Sequence, residues 1–164
     1  MYFLYSTLLT IGFIVLLPRF IFDAILNGKY AAGFFQRLGR LPKFEQDSRP
    51  VVWLHCVSVG EVNAAIPLVD LFTTEFPNHR LVVSTTTKTG QKLAADVFKR
   101  KADLVFYFPF DWRFCVRRSL RIIAPRVVLL METEIWFNFI REARKDHARI
   151  AIVNSAWRRH LASS

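Results

Sequence analysis

Residues 51–61 decide the fold of this chain: Val51-Val52-Trp53-Leu54-His55-Cys56-Val57-Ser58-Val59-Gly60-Glu61. The run begins with an almost continuous apolar stretch, which predicts a strand buried on both faces of a sheet. A tight turn follows, and Glu61 comes where a helical pattern takes over. A glutamate there complements the helix dipole and caps free N–H groups. It also follows the carboxyl end of a strand, where open α/β sheets bind their ligands, and both interpretations stay open.

The same alternation of strand and helix continues along the chain. Helical patterns lie between the predicted strands, and the strands are apolar throughout. This arrangement predicts an α/β fold, a Rossmann-like parallel sheet with helices on both faces. The predicted strands are residues 51–56, 81–86, 104–108, 127–131 and 150–153. The predicted helices lie near residues 62–76, 89–101, 112–123 and 135–146.

Polar side chains collect in the loops that follow the predicted strands. A second acidic pair, Glu132 and Glu134, comes directly after strand 127–131. Residues 85–90 add hydroxyls and a lysine, although they are equally an ordinary loop with a helix cap at Thr89. The glycine-rich dinucleotide motif and the Walker loop are missing, which argues against a dinucleotide dehydrogenase or a P-loop protein. The loops therefore favour a polyhydroxylated or phosphorylated ligand.

The N-terminus carries a long apolar run. Residues 1–18 contain no charged side chain, and as a helix they extend about 27 Å, close to the hydrocarbon thickness of a bilayer. Residues 1–26 are therefore predicted to be a single-pass membrane anchor, with a buried core helix as the alternative. A cleaved signal peptide is disfavoured because the run has no positively charged start. Basic residues follow the run but do not precede it, which predicts a cytoplasmic location for the rest of the chain.

The chain is strongly basic, with a formal net charge of +10. Such a charge suits nucleic acid, an anionic membrane or a phosphorylated substrate. Nucleic acid is the weakest of these partners, because no helix-turn-helix, zinc-finger or RNP pattern is present. Residues 27–49 mix aromatic side chains with cations, as do segments that lie in the headgroup layer of a membrane. The cations on the predicted helices are by default interpreted as lying on faces exposed to solvent. If they have a function, the best interpretation is attraction to anionic lipid.

Cysteine and histidine give no metal signature. The two cysteines form no paired motif, and Cys56 is expected to pack as a small apolar side chain. The four histidines have no ligand spacing, so no metal site is predicted. His55 borders the turn of Glu61 and is interpreted as a structural histidine with satisfied hydrogen bonds. Contact with a ligand is the alternative.

Four motifs resemble the N-terminal half of the 3-deoxy-D-manno-oct-2-ulosonic acid (Kdo) transferases, which build the inner core of bacterial lipopolysaccharide. The likeness also covers the apolar N-terminus and Gln36-Arg37-Leu38-Gly39. The chain departs from the family pattern at Phe137, where proline is usual, and at residues 154–158, where Asn-Ala-Arg-Leu-Ser is usual. The four motifs are His55-Cys56-Val57-Ser58-Val59-Gly60-Glu61, Thr85-Thr86-Thr87-Lys88-Thr89-Gly90, Phe108-Pro109-Phe110-Asp111, and Met131-Glu132-Thr133-Glu134-Ile135-Trp136 with Asn138.

The resemblance implies a GT-B glycosyltransferase, in which two Rossmann-like domains face a cleft. Residues 50–164 would be the N-terminal domain, which holds the lipid acceptor. The C-terminal domain, which holds the donor CMP-Kdo, is expected to be absent from this sequence, so that the chain alone is inactive. The implied location is the bacterial inner membrane. The implied partners are a lipid A precursor, CMP-Kdo through the missing half and an anionic membrane surface, without nucleic acid and without a cofactor.

The resemblance also assigns roles to individual residues. Glu61 matches the proton acceptor that activates a hydroxyl of the lipid A precursor (lipid IVA) for inverting attack on Kdo. Glu132 matches the residue that stabilises the transition state, and Glu134 is expected to be structural. The alternative function is a membrane-bound module that binds the lipid A precursor without turnover. Acceptor contacts are expected from Ser58, Gly60, Lys88 and Arg37.

Overall fold

The computed structural model describes residues 2–27, 33–131 and 136–153. Five parallel strands form one sheet in the order β3-β2-β1-β4-β5. The strands are β1 (Val51–Cys56), β2 (Arg80–Thr85), β3 (Leu104–Tyr107), β4 (Val127–Met131) and β5 (Arg149–Val153). The helices are α1 (Tyr2–Asn27), α2 (Phe34–Arg37), α3 (Val59–Glu75), α4 (Lys88–Val97), α5 (Arg113–Ile123) and α6 (Phe137–Lys145).

Both faces of the sheet are covered, as the continuous apolar strands predict. Side chains alternate along β1, so that Trp53 packs with Val116 of α5 and Phe139 of α6 on one face. Leu54 packs with Val62 of α3 and Ala94 of α4 on the other face. A strand that contributes to two cores has no polar face, because neither side meets water. The predicted Rossmann-like fold is confirmed.

The strand order places a topological switch point between β1 and β4. The chain moves outward from β1 through β2 to β3, and then returns to add β4 and β5 on the other side. The carboxyl ends of the strands lie level with one another, since Cys56 pairs with Thr85 and Thr85 pairs with Tyr107. Sheets of this kind bind ligands in the crevice beside the switch point, where the loops diverge. The loop that follows β1 therefore borders the expected ligand crevice.

Most of the predicted element bounds agree closely with the structure. The strands β1 and β4 have the predicted bounds, β3 and β5 differ by one residue at one end, and β2 is displaced by one residue at both ends. Among the helix N-termini, the largest difference between prediction and structure is in α3, which begins at Val59 and not at residue 62. Ser58 has extended backbone and is the N-cap, so the helix starts inside the motif and Glu61 lies in its first turn. The turn that contains Glu61 and the N-terminus of α3 are therefore the same segment.

The N-terminal run forms one helix, but it does not serve as the predicted anchor. Across residues 2–27, 33–131 and 136–153, no helix is both long enough and apolar enough to cross a bilayer. The prediction of a single-pass anchor at residues 1–26 is therefore wrong, and so is the inner-membrane location with a cytoplasmic catalytic part. The physical reason lies in the polar side of α1, where Tyr5 and Thr10 hydrogen-bond Asp111 and Trp112. Pro18 also lies inside the helix.

Part of the predicted interfacial segment 27–49 packs on the amino-terminal edge of the domain. Leu41 and Phe44 are partly buried against the core. The Arg80 guanidinium lies 3.9 Å from the centroid of the Phe44 ring and donates to Asp103 at 2.8 Å. It also donates to the carbonyl of Glu45. Arg80 is itself buried, so this contact ties residues 44–45 to β2.

Candidate functional site

Glu61 accepts two hydrogen bonds at the turn before α3. Its Oε2 accepts a hydrogen bond from the backbone N–H of Val57 at 2.7 Å, and its Oε1 accepts from the Ser58 hydroxyl at 3.2 Å. Val57 precedes the Ser58 N-cap, and the Ser58 side chain makes no cap hydrogen bond, so these bonds are not the reciprocal pair of a capping box. The carboxylate is nearly buried, with 9% of the residue exposed. Glu61 lies in the first turn of α3, where its charge complements the helix dipole, and the two bonds fix the carboxylate at the carboxyl end of β1.

The loop after β2 packs against this turn. A Cβ atom on Gly90 would lie 2.8 Å from the Thr87 Oγ1 and 3.4 Å from the carbonyl carbon of Ser58, so glycine permits the close approach. Thr87 is the N-cap of α4, and its Oγ1 accepts from the Gly90 N–H at 3.1 Å. The cap predicted at Thr89 is thus supplied two residues earlier. Lys88, the first residue of α4, is exposed at the same edge.

Gly60 differs from Gly90 in its surroundings. It lies in the first turn of α3 and is exposed. Within the described part of the chain, a Cβ atom built on it would have only the Ser58 Oγ within 4 Å, at 3.8 Å. Packing therefore does not require glycine at this position. The open space borders the backbone of Glu61, which makes Gly60 a place where a ligand can approach the carboxylate.

Arg37 reaches the same edge from the short helix α2. Its guanidinium donates to the Thr86 carbonyl and lies 4.8 Å from the centroid of the Tyr107 ring. Desolvation by burial lowers the pKa of Arg37, while Tyr107 raises it. Among the described residues no carboxylate pairs with this guanidinium. A mostly buried cation without a counter-charge is costly, and a bound anion would offset that cost.

α2 is held in place by contacts with the end of β3. The Gln36 Oε1 accepts from the Tyr107 backbone N–H at 2.9 Å, and the Arg37 carbonyl accepts from the Phe110 N–H at 2.9 Å. Gly33 has φ 73°, and a Cβ atom there would overlap the Tyr107 ring at 1.9 Å. The contact between α2 and β3 therefore requires glycine, and it sets the position from which Arg37 reaches Thr86.

His55 lies inside the sheet directly before the turn of Glu61. Its Nδ1 is 3.1 Å from the Ser84 carbonyl oxygen and 3.0 Å from the Ser84 Oγ, which also accepts from the Trp53 indole N–H at 2.7 Å. Desolvation by burial lowers the pKa of His55 to about 3. The hydrogen bond to Ser84 acts to raise this pKa, and the positive charge of Arg37 lowers it further. The imidazole is therefore neutral. Its Nε2 is buried and has no hydrogen-bond partner in the part of the chain that the structure describes, where only the Nδ1 is bonded.

The second acidic loop cannot be placed in the site. Glu132 and Glu134 lie outside the described residues, as does the stretch after Val153. Met131, the last residue of β4, ends beside the switch point, since Leu130 pairs with His55. The next described residue is Trp136, which is the N-cap of α6.

Asp111 has a structural role that the sequence did not reveal. Its carboxylate accepts from the backbone N–H groups of Asn138 and Phe139 at 3.1 and 2.8 Å, and from the Tyr5 hydroxyl at 2.9 Å. It caps α6 from another part of the chain, in place of the usual N-cap side chain. The Asn138 side chain donates to the Asp111 carbonyl at 2.6 Å. These bonds explain two residues of the quoted motifs without a ligand.

A groove runs between α1 and α5 near the same loops. Its volume is about 650 Å³. Trp112 and Phe114 stack within it at 6.1 Å, and Arg113 and Arg117 line one side and pair with the buried Glu142 at 3.2 and 3.5 Å. An apolar groove beside cations suits an amphiphilic anion better than a neutral polar ligand. The lining residues are Ser6, Thr10, Phe13, Trp112, Arg113, Phe114 and Arg117.

Metal and thiol chemistry find no support in the described part of the chain. There, no group of three His, Cys, Asp or Glu side chains lies close enough together to hold a metal ion. Cys56 and Cys115 are free and buried, and burial raises the pKa of both thiols. Cys56 packs in the core, as predicted. The described residues of this edge present a fixed carboxylate beside cations and two helix N-termini.

Comparison with known proteins identifies a group of relatives. A family model described as 3-deoxy-D-manno-octulosonic-acid transferase (Kdo transferase) matches residues 32–162. The 3-deoxy-D-manno-octulosonic acid transferase of Chlamydia trachomatis serovar D is 31% identical over 157 residues, which are 96% of this chain and 36% of that protein. The one from Chlamydophila psittaci is 33% identical over 152 residues, 93% of this chain and 35% of that protein. The one from Haemophilus influenzae is 33% identical over 106 residues, which are 63% of this chain and 24% of that protein. The chain thus spans about a third of the length of the first two.

Proposed function

Because this chain belongs to the Kdo transferase family, we propose that it forms the acceptor-binding domain of an inverting Kdo transferase, with Glu61 as general base. The observation that carries the proposal is the position of Glu61. A nearly buried carboxylate is fixed at the carboxyl end of β1, beside the switch point and next to an open turn. The proposed acceptor is a lipid A precursor (lipid IVA), and the proposed donor is CMP-Kdo. The proposed architecture is the N-terminal half of a GT-B enzyme.

The chemistry assigns one proton transfer to Glu61. A sugar hydroxyl of the acceptor is a poor nucleophile until its proton is removed. The carboxylate takes that proton as the hydroxyl oxygen forms a bond to the anomeric carbon of Kdo. The bond from this carbon to CMP breaks on the opposite face, so the configuration inverts. The hydrogen bonds from Val57 and Ser58 hold the carboxylate ready, since a base that is already oriented need not be ordered during the reaction.

The cations at the edge would hold the anionic groups of the acceptor. Arg37 is mostly buried without a carboxylate partner in the described part of the chain, and Lys88 is exposed at the N-terminus of α4. Helix N-termini add partial positive charge, and guanidinium groups bind phosphate with two parallel hydrogen bonds. We assign these two residues, with Ser58 and Gly60, to the sugar and phosphates of the lipid A precursor.

The groove between α1 and α5 suits the apolar part of the same acceptor. It combines the Phe13, Trp112 and Phe114 rings with cations on one side. An acyl chain would bury against the rings while Arg113 and Arg117 attract anionic lipid, including a membrane surface that presents it. Glu142 neutralises part of that charge, so the attraction would act mainly through the net positive charge of this face.

The donor side of the reaction lies beyond what these residues supply. We assign CMP-Kdo to a second domain of the full-length enzyme. Glu132, which follows β4 directly in sequence, is proposed to stabilise the positive charge that develops on the sugar. A second candidate function is a binding module that holds the lipid A precursor without turnover. The partly buried Arg37 and the open turn at Gly60 are equally consistent with it, because both concern binding alone.

The test is the substitution Glu61→Gln in the full-length enzyme, assayed with CMP-Kdo and the lipid A precursor. Glutamine keeps the shape and can accept from Val57, but it cannot take a proton. Turnover should fall by about two to four orders of magnitude, while acceptor affinity and the free energy of unfolding change little. Glu75→Gln is the matched control, because Glu75 is an exposed carboxylate at the other end of the same helix.

Each result decides between the candidates. Loss of turnover in Glu61→Gln alone, with Glu75→Gln unchanged, supports the general base. Near-normal turnover in Glu61→Gln removes Glu61 from the chemistry and leaves it as a residue that holds the turn before α3. Binding of the precursor by the wild-type full-length protein, without any release of CMP, would favour the binding module.

A further inference from the structure

His55 presents an unused hydrogen-bond acceptor at the carboxyl end of β1. The Ser84 carbonyl can only accept, so the proton of the neutral ring lies on Nδ1. Nε2 therefore carries a lone pair and no hydrogen. It is buried and has no partner within the described residues. The ring itself cannot turn freely, because it stacks on Phe108 with centroids 3.9 Å apart and an interplanar angle of 24°.

Trp136 presents an unused donor on the same aromatic ring. Its indole centroid lies 5.4 Å from that of Phe108. The Trp136 Nε1 is also buried and also lacks a partner among the described residues. An indole N–H can only donate. The Phe108 ring thus contacts two orphan groups of opposite character, one that follows β4 and one at the end of β1.

Two such groups need an explanation. A buried polar atom without a hydrogen bond destabilises a fold, and native proteins retain few of them. A second apolar packing contact would not satisfy either atom. A sugar would satisfy both, because each hydroxyl donates one hydrogen bond and accepts others. His55 lies on β1 and Trp136 follows β4 in sequence as the N-cap of α6, and these two strands flank the switch point, with Glu61 after β1.

We propose that the His55 Nε2 and the Trp136 Nε1 form a subsite that recognises hydroxyl groups of the acceptor sugar, so that both are positioning residues. The inference rests on the proposed function, since it names a part of the same acceptor site. His55 accepts from one sugar hydroxyl and Trp136 donates to a hydroxyl or ether oxygen. Two fixed contacts on one side of the sugar orient the nucleophilic hydroxyl toward Glu61. Ser84 and Trp53 keep the imidazole in the required tautomer.

Nitrogen-15 NMR of the side chains tests the subsite directly in this 164-residue chain. The probe is the deacylated lipid A disaccharide, a soluble glucosamine disaccharide bisphosphate. In the free chain the His55 Nε2 resonance should be that of an unprotonated nitrogen without a hydrogen bond. Saturating probe should shift this resonance upfield and move the Trp136 indole N–H resonance at the same probe concentration. Backbone amides of Glu61 and Lys88 report binding independently.

Two substitutions supply the second measurement. His55→Asn keeps a donor toward Ser84 but has no group at the position of Nε2, and Trp136→Phe keeps a ring without the N–H. Each should weaken binding of the disaccharide about tenfold. The matched control is His147→Asn, because His147 is exposed and has φ 62°, a conformation that asparagine tolerates. It should leave the affinity unchanged.

The outcomes separate the subsite from the function on which it rests. If the amides of Glu61 and Lys88 shift while both side-chain resonances stay in place, the subsite is wrong and the acceptor proposal stands. The same conclusion follows if the free chain already shows a hydrogen-bonded Nε2 that the probe does not move, since a resident water then occupies the position. If the disaccharide does not bind at all, both proposals fail.

Discussion

Gly60 offers the sharpest test of whether a ligand approaches Glu61. In Gly60→Ala the added methyl group would meet, among the residues that the structure describes, only the Ser58 Oγ at 3.8 Å, so these residues accept it without strain. Alanine also restricts the unfolded chain and favours a helix more than glycine does. Because Gly60 lies in the first turn of α3, we expect the free energy of unfolding to rise by about 0.5 kcal/mol.

Function should change in the opposite direction. A hydroxyl must come within hydrogen-bond distance of the Glu61 carboxylate to lose its proton. The methyl group of Gly60→Ala would occupy the open space beside that path. We expect acceptor affinity to fall about tenfold and turnover of the full-length enzyme to fall at least as much, which corresponds to about 1.4 kcal/mol. Urea unfolding measures the stability, and titration with the lipid A precursor measures the affinity.

Gly90→Ala is the informative comparison. Its Cβ atom would lie 2.8 Å from the Thr87 Oγ1 and 3.4 Å from a backbone atom of Ser58, so stability and binding should decline together. Opposite changes in stability and affinity are therefore specific to Gly60. If Gly60→Ala were stable and bound the acceptor normally, no ligand would pass over this turn. The reasoning that connects Glu61 to the acceptor would then be refuted.

Three further predictions concern the fold. Lowering the pH from 7 to 5 should reduce the free energy of unfolding by about 2 kcal/mol through His55, because its folded pKa is about 3 and its unfolded pKa is about 6.5. The loss begins as the pH falls through the unfolded pKa, and titrations of His55→Asn should lack it. Arg80→Met should destabilise the chain by about 1–3 kcal/mol in urea unfolding, because it leaves Asp103 without its ion pair at 2.8 Å and removes the contact with Phe44. Tyr5→Phe deletes the hydrogen bond to Asp111, so the free energy of opening α1, measured by hydrogen exchange, should fall by about 1 kcal/mol. Unchanged protection in α1 would show that this bond does not hold the helix.

The sheet could be predicted from the sequence because its signal is local. The strands β1 and β4 are apolar along their whole length, and a strand packed on both faces has no other pattern. The position of Ser58, Gly60 and Glu61 at the carboxyl edge follows from the same alternation. Their conformation also has a local origin, since Glu61 bonds to Val57 and Ser58, four and three residues earlier in the chain.

Contacts between distant segments could not be predicted in this way. Asp111 caps α6 across the fold, and Tyr5 reaches it from 106 positions earlier in the chain. Hydropathy alone assigned α1 to a membrane, because an average over a window does not show that its hydroxyl groups bond to Asp111 and Trp112. The two orphan nitrogens of His55 and Trp136 are likewise properties of three-dimensional packing.

The turn that holds Glu61 and the catalytic role proposed for this residue support each other. A general base needs a carboxylate that is fixed within reach of a hydroxyl. Here the backbone N–H of Val57 and the Ser58 hydroxyl hold the two carboxylate oxygens, at 2.7 and 3.2 Å. Glu61→Ala should lose these bonds, with about 1 kcal/mol of stability, together with turnover, whereas Glu61→Gln should lose turnover alone. Equal destabilisation by both variants would show that the negative charge itself is needed to hold the turn.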